Sequence, residues 1–208
     1  TRSKSNSAVS VMNNANKRVL VAMSGGVDSS VAAAILKEDG YEVIGATMKI
    51  WPKELCDHEK QKSCCSLKDI EDARKVSRIL DVRHYVLNFE VEFRKKVIDY
   101  FTDEYLSART PNPCIICNEK IKFGSLLKKA KGLGCDFIAT GHYARIETGE
   151  PCRLRESIDK SKDQSYVLFG LKQSQLKKIL FPIGGFTKNE VRAKAKELGL
   201  SVCDKPDS

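Results

Sequence analysis

Two short stretches carry residue types that do chemistry. The first is Ser24-Gly25-Gly26-Val27-Asp28-Ser29-Ser30. Two glycines permit a tight turn and close backbone approach to an anion. The three serines offer hydroxyls, and a helix opening after the turn supplies free N–H groups at its positive end. The string is neither a Gly-Lys-Ser/Thr phosphate loop nor a G-x-G-x-x-G fingerprint. With no lysine in the loop, Asp28 is the residue expected to hold Mg²⁺ on a pyrophosphate. The plain alternative is a tight turn capped by serine. The second stretch is Thr110-Pro111-Asn112-Pro113-Cys114-Ile115-Ile116-Cys117-Asn118, a proline-stiffened loop with a CxxC pair. Cys117 is expected where the following helix begins, and a helix N-terminus favours the nucleophilic thiolate. Here the alternative is two half-buried packing cysteines.

Both stretches need a scaffold, and the apolar pattern predicts one. Residues 19–23 form a short apolar run suited to a strand buried on both faces. A helix is expected over 29–39, stopping at Gly40. Further strands are expected over 43–50, 85–89 and 136–140. Helices are expected after a Ser66/Asp69 capping box, over 91–106 and over 121–133. Alternation of this kind predicts an α/β fold with a doubly wound parallel sheet. In such sheets ligands bind beyond the carboxyl ends of the strands, where the glycine loop falls. After Gly141 the pattern becomes irregular and hairpin-rich over 145–171. A second capping box, Thr187 to Glu190, then opens a basic helix. The expected organisation is a disordered tail or expression remnant over 1–18, a nucleotide-type α/β domain over 19–150, and a small irregular and helical C-terminal extension over 151–208.

Charge follows the same division. Of 36 basic and 27 acidic residues in the 208-residue chain, residues 1–18 hold four basic and no acidic ones. Residues 19–150 balance at 20 of each, and 151–208 hold 12 basic against 7 acidic. A neutral body with a basic final third points to a localised polyanion contact such as nucleic acid. No apolar run approaches the ~18 residues of a membrane span, and the N-terminus has no apolar signal core. A cytoplasmic protein without membrane contact is expected, or an organellar one if residues 1–18 belong to a transit peptide. The eight cysteines then read as thiols rather than a disulfide framework.

The glycine loop after an apolar strand resembles the PP-loop of the ATP pyrophosphatases, which cleave ATP between the α and β phosphates. That resemblance implies that Ala22, Met23, Ser24, Gly25, Gly26, Val27, Asp28 and Ser29 bind ATP, with Met48 and Gly141 flanking the adenosine. Core packing is the alternative for Met48. A closer resemblance rests on motifs in order: SGGVDSS, Met48, Cys64-Cys65-Ser66, TPNPCIICNEKIKFG, ATGHYAR, KDQSYVLF, LFPIGGFTKNEVR and KPDS. Together, over about residues 18–208, they resemble the tRNA-specific 2-thiouridylases.

The resemblance implies 2-thiolation of the wobble uridine of tRNA. ATP adenylates the uracil O2, and a cysteine persulfide or cluster-bound sulfide then delivers sulfur to C2. Cys117 (as nucleophile) and Asp28 are the implied catalytic residues. Asn112, Pro113 and Cys114 are implied at the target base, and Lys162, Asp163 and Gln164 at the tRNA. A sulfur-donor protein (a persulfide relay or cysteine desulfurase) is the implied partner, and a monomer is expected. The family commonly has Asp where this chain has Cys114, and its second cysteine follows KPDS, so the chain is expected to bind ATP without that residue. Cys114 and Cys117 with one further cysteine are also candidate ligands of a [4Fe–4S] cluster. Cys56, His58, Cys64 and Cys65 nominally match zinc, but adjacent cysteines seldom share one metal, so packing or site lining is expected of them. His84 is expected to be structural, and His142 to approach the nucleotide. The rival readings are another PP-loop adenylating ligase or amidotransferase, which the proline-caged CxxC and the KDQ segment disfavour, and a non-enzymatic RNA-binding module.

Overall fold

Val19, Leu20 and Val21 are all at 0 % exposure, as a strand covered on both faces requires. In the computed structural model, which describes residues 14–51, 67–203 and 205, they form the middle of β1 (Arg18–Ala22). The chain continues through α1 (Val27–Glu38), β2 (Glu42–Lys49), α2 (Leu67–Ile79) and β3 (Arg83–Asn88). Helix α3 runs over Glu90–Phe93, a π-helical segment Arg94–Ile98 and Asp99–Leu106. Helix α4 likewise joins Pro113–Ile116, a π-helical segment Cys117–Leu126 and Leu127–Gly132. Then come β4 (Phe137–Thr140), the antiparallel hairpin of β5 (Ala144–Glu147) and β6 (Arg153–Glu156), α5 (Gln173–Leu176), β7 (Ile179–Leu180) and α6 (Lys188–Glu197).

Five strands form one parallel sheet in the order β3-β2-β1-β4-β7. Strand alternation divides its core. Val19 and Val21 pack with Ala73 and Val76 of α2 and Val191 and Ala195 of α6. Leu20 packs on the opposite face with Phe93 and Val97 of α3 and Ile121, Phe123 and Leu126 of α4. Helices therefore cover both faces, as the alternation predicts. Strand order runs outward in both directions from β1, through β2 to β3 and through β4 to β7. That reversal opens a crevice at the carboxyl ends of β1 and β4, with Ala22 registered opposite Thr140.

The clearest local difference from expectation is α4, which begins at Pro113 instead of near residue 121. Asn112 is its N-cap, the side-chain oxygen accepting from the amides of Cys114 at 3.0 Å and Ile115 at 3.3 Å. Pro113 fills the first helical position, where its missing N–H costs nothing. The prolines thus open a helix as well as stiffen a loop, and Cys117 sits a full turn inside instead of at the start. The Ser66 end of the first capping box, and Cys56, His58, Cys64 and Cys65, lie outside the described residues.

Replacing Leu20 by Ala should destabilise the protein by about 2–5 kcal/mol, because the cavity is bounded by both strand neighbours and cannot collapse. Leu133→Ala, at 37 % exposure, should cost far less. Urea denaturation of the two variants checks the difference.

Candidate active site

The glycine loop leaves β1 and enters α1 without a side-chain cap: Gly26 is the N-cap residue and makes no side-chain bond. The first amides of α1 therefore keep the donor capacity and positive dipole end that suit an anion. The serines are used differently from expectation. Ser30 is fully buried and donates to the Gly26 carbonyl at 2.8 Å. Ser29 Oγ accepts from the Ser24 amide at 3.1 Å and also donates to Gly26 O at 3.2 Å. Ser24 Oγ lies 3.3 Å from Ser29 Oγ, so all three hydroxyls brace the loop. Gly25 has φ of +75°, and a Cβ there would collide with the backbone carbonyl of Asp69 at the start of α2.

Asp28, in the first turn of α1, is held by two partners from distant sequence. Lys188 Nζ donates to its two carboxylate oxygens at 2.8 and 2.9 Å, and Tyr143 OH donates to Oδ1 at 2.9 Å. The same ammonium lies 5.8 Å from the centroid of the Tyr143 ring. Tyr143 is itself braced by Gln164, whose side-chain oxygen accepts from its amide at 3.0 Å and whose amide donates to its carbonyl at 2.8 Å. His142 next to it is buried, with Nδ1 2.7 Å from Thr140 Oγ1 and the ring packed against Phe123 and Phe181. Burial, and then the nearby Lys122 charge, push its pKa well below the usual histidine range, so it is neutral at pH 7.

These groups share one cavity of about 760 Å³. Ala22, Met23, Ser24, Asp28, Ser29, Gly141 and Lys188 form its phosphate-loop end. Met48, Ile50, Trp51, Phe93, Val97 and Phe101 form an apolar wall suited to a flat ring. Pro113, Cys114, Cys117 and Asn118 of α4 and Lys162 and Gln164 complete it. Cys114 is exposed and Cys117 half-buried. The Asn118 side chain donates to Val167 O at 3.3 Å, while its own buried oxygen has no hydrogen-bond partner among the described residues.

The other predicted residues stand behind this wall. Gly25, Gly26 and Val27 shape the loop, and Asn112 caps α4. Asp163 is occupied by a turn, accepting from the Ser157 amide at 2.8 Å and from Ser165 Oγ at 2.6 Å. Among the described residues no group of three or more His, Cys, Asp or Glu side chains is arranged to hold a metal ion. Among the described residues Cys114 and Cys117 supply two of the three thiols that a cluster with one open iron needs, and both Asp28 oxygens accept from Lys188, so neither set by itself is arranged to hold a cluster or Mg²⁺.

Residues 17–208 match the family model described as the tRNA methyl transferase HUP domain. The chain belongs to that family. It is 59 % identical over 197 residues to the tRNA-specific 2-thiouridylase MnmA of Caldicellulosiruptor saccharolyticus, covering 92 % of this chain and 54 % of that protein. It is 58 % identical to the MnmA of Acetivibrio thermocellus, covering 92 % of this chain and 55 % of that protein. The chain thus spans about half the length of these curated relatives. Among solved structures, a 4-thiouridine synthetase in complex with RNA and ATP superposes with a TM-score of 0.59 at 20 % identity, covering 91 % of this chain and 43 % of the other. The NMN synthetase of Francisella tularensis superposes at 0.55 with 18 % identity, covering 97 % of this chain and 71 % of the other. At such identities these two likenesses speak to the fold.

Sequence reasoning missed Lys188 and Tyr143 as members of the site. A signal existed for Lys188, which occupies the first position of α6 just after its Thr187 cap. A cation there opposes the helix dipole, so another interaction has to hold it.

Buried neutral His142 also fixes the sign of one pH effect. The unfolded chain takes up a proton near pH 6.5 that folded His142 refuses, so folding stability falls as pH drops below that value. His84, also depressed by burial and then by Arg74, acts in the same direction. Urea midpoints measured from about pH 7.5 to about 5.5 should decline less steeply in His142→Gln than in the parent protein.

Proposed function

We propose that this chain is the ATP-binding catalytic part of a tRNA-uridine 2-sulfurtransferase, acting on the wobble uridine. What carries the reading is the single cavity in which an uncapped phosphate loop, the Cys117 thiol and the basic residues Lys162 and Lys188 meet. The family membership and the names of the relatives support the same chemistry.

In this reaction the uracil O2 attacks the α-phosphorus of ATP and pyrophosphate leaves, converting an unreactive carbonyl oxygen into part of an AMP leaving group. The amides of α1 and the Lys188 ammonium meet the phosphate charge. The terminal sulfur of a persulfide, loaded by a sulfur-donor protein, attacks C2 and AMP departs. The transferred sulfur is still bonded to its carrier sulfur, so a second thiol must break that S–S bond. Cys117 takes this role, forming a disulfide with the carrier and leaving the C2 thiocarbonyl. The apolar wall around Trp51 and Phe93 accepts a flat ring, and neutral His142 beside Gly141 adds no competing positive charge. Lys162, in the basic final third, meets the tRNA, and Asp163 and Gln164 shape the segment that presents it.

In the intact protein, tRNA bearing the target uridine should stimulate pyrophosphate release, and mass spectrometry should find 2-thiouridine in the product. Equal stimulation by tRNA lacking that uridine would refute the substrate assignment. Cys117→Ser should retain ATP binding and lose thiolation by at least about 10³-fold, as removal of a nucleophile does; unimpaired thiolation would remove Cys117 from the reaction.

A further inference from the structure

The peptide joining Gly25 to Gly26 lies between the two residues of the phosphate loop that have no Cβ. Gly25 occupies the left-handed region at φ +75°, and a Gly-Gly pair lets the intervening plane turn over at small cost. In a trans peptide the Gly25 carbonyl and the Gly26 N–H point to opposite sides. One orientation therefore lines the N–H up with the unpaired first amides of α1. The other presents a carbonyl dipole to the same place, which repels an anion.

A lysine from far along the chain selects between them. Lys205 Nζ donates to Gly25 O at 3.1 Å, to Asp69 Oδ1 at 2.6 Å and to Asp72 Oδ2 at 2.9 Å. Three acceptors match the three hydrogens of an ammonium. The group is well sheltered, with side-chain exposures of 25 % for the lysine and 16 % and 13 % for the two carboxylates. An ion pair that served only to fasten Lys205 to α2 would need the carboxylates alone. The third acceptor is a backbone carbonyl of the loop, and none of these three side chains lines the cavity.

We propose that Lys205 is a positioning residue for nucleotide binding: it draws the Gly25 carbonyl toward α2, away from the cavity, and so keeps the Gly26 N–H turned to the phosphates. The inference rests on ATP being the ligand of this loop. Adenosine, which has no phosphate, is indifferent to the orientation of this peptide, so the clamp acts on one end of the ligand only.

The test compares ATP and adenosine dissociation constants by calorimetry on the intact protein. Lys205→Met should weaken ATP binding about ten-fold, the scale of one charge-assisted hydrogen bond, and leave adenosine within about two-fold. Lys205→Arg keeps the charge but cannot set one nitrogen against three acceptors, and should fall between. ATP affinity unchanged in Lys205→Met, or ATP and adenosine weakened equally, overturns the proposal. Should Lys205→Met fail to fold, Asp72→Asn carries the test by loosening the ammonium: a loss confined to ATP supports the clamp, and unchanged ATP binding overturns it. A parent protein that binds adenosine but not ATP overturns the functional assignment and this inference together, whereas normal ATP binding without a Lys205 effect overturns this inference alone.

Discussion

Gly141 comes so close to the first turn of α1 that a methyl group on its Cα would lie 2.6 Å from the Ser29 nitrogen and 2.7 Å from the Asp28 carbonyl carbon. Only glycine lets β4 end against a helix terminus in this way. The contact joins the two strands that flank the reversal of strand order, and it sets the width of the crevice there. It also leaves the α1 amides facing the cavity with no side chain to cap them, since Gly26 has none and Ser29 and Ser30 brace the loop from behind. The cost of leaving helix donors unpaired is tolerated where a ligand can satisfy them.

The charged groups complete this design from a distance. Lys188 reaches Asp28 across 160 residues of sequence, and farther along the same two helices Lys194 pairs with Glu38 at 2.7 Å. Neither pair adds much net stability, because desolvation offsets the attraction in the sheltered Lys188–Asp28 pair and solvent screens the more exposed Lys194–Glu38 pair. Their consequence is positional: a cation stands at the glycine-loop end of the cavity although the loop itself contains none. Tyr143 and Gln164 tie the hairpin region to the same carboxylate, so movement of that region is felt at the loop.

Much of this is legible in the sequence. Residues 19–23 had to be a two-sided strand, because three consecutive large apolar residues cannot be buried by a sheet covered on one face. The glycine loop announced an anion site through conformational freedom and hydroxyl content, although the hydroxyls proved to hold the loop. The start of α4 was misplaced because Asn-Pro serves both turns and helix openings, and the choice depends on what the following residues pack against. Ile121, Phe123 and Leu126, all fully buried under the sheet, supply that answer.

The sequence by itself determined the class of fold, the loop chemistry and the presence of a thiol pair, since each follows from local residue types and their spacing. It did not determine which lysines act. Lys188 and Lys205 look like any other cation in a basic region, and their significance arises only when the fold brings both side chains back to the loop that follows β1. Long-range electrostatic partnerships are chosen by the path of the chain, because a charge has no periodicity to betray its partner. Tertiary structure therefore decided which cations stand at a glycine loop that itself contains none.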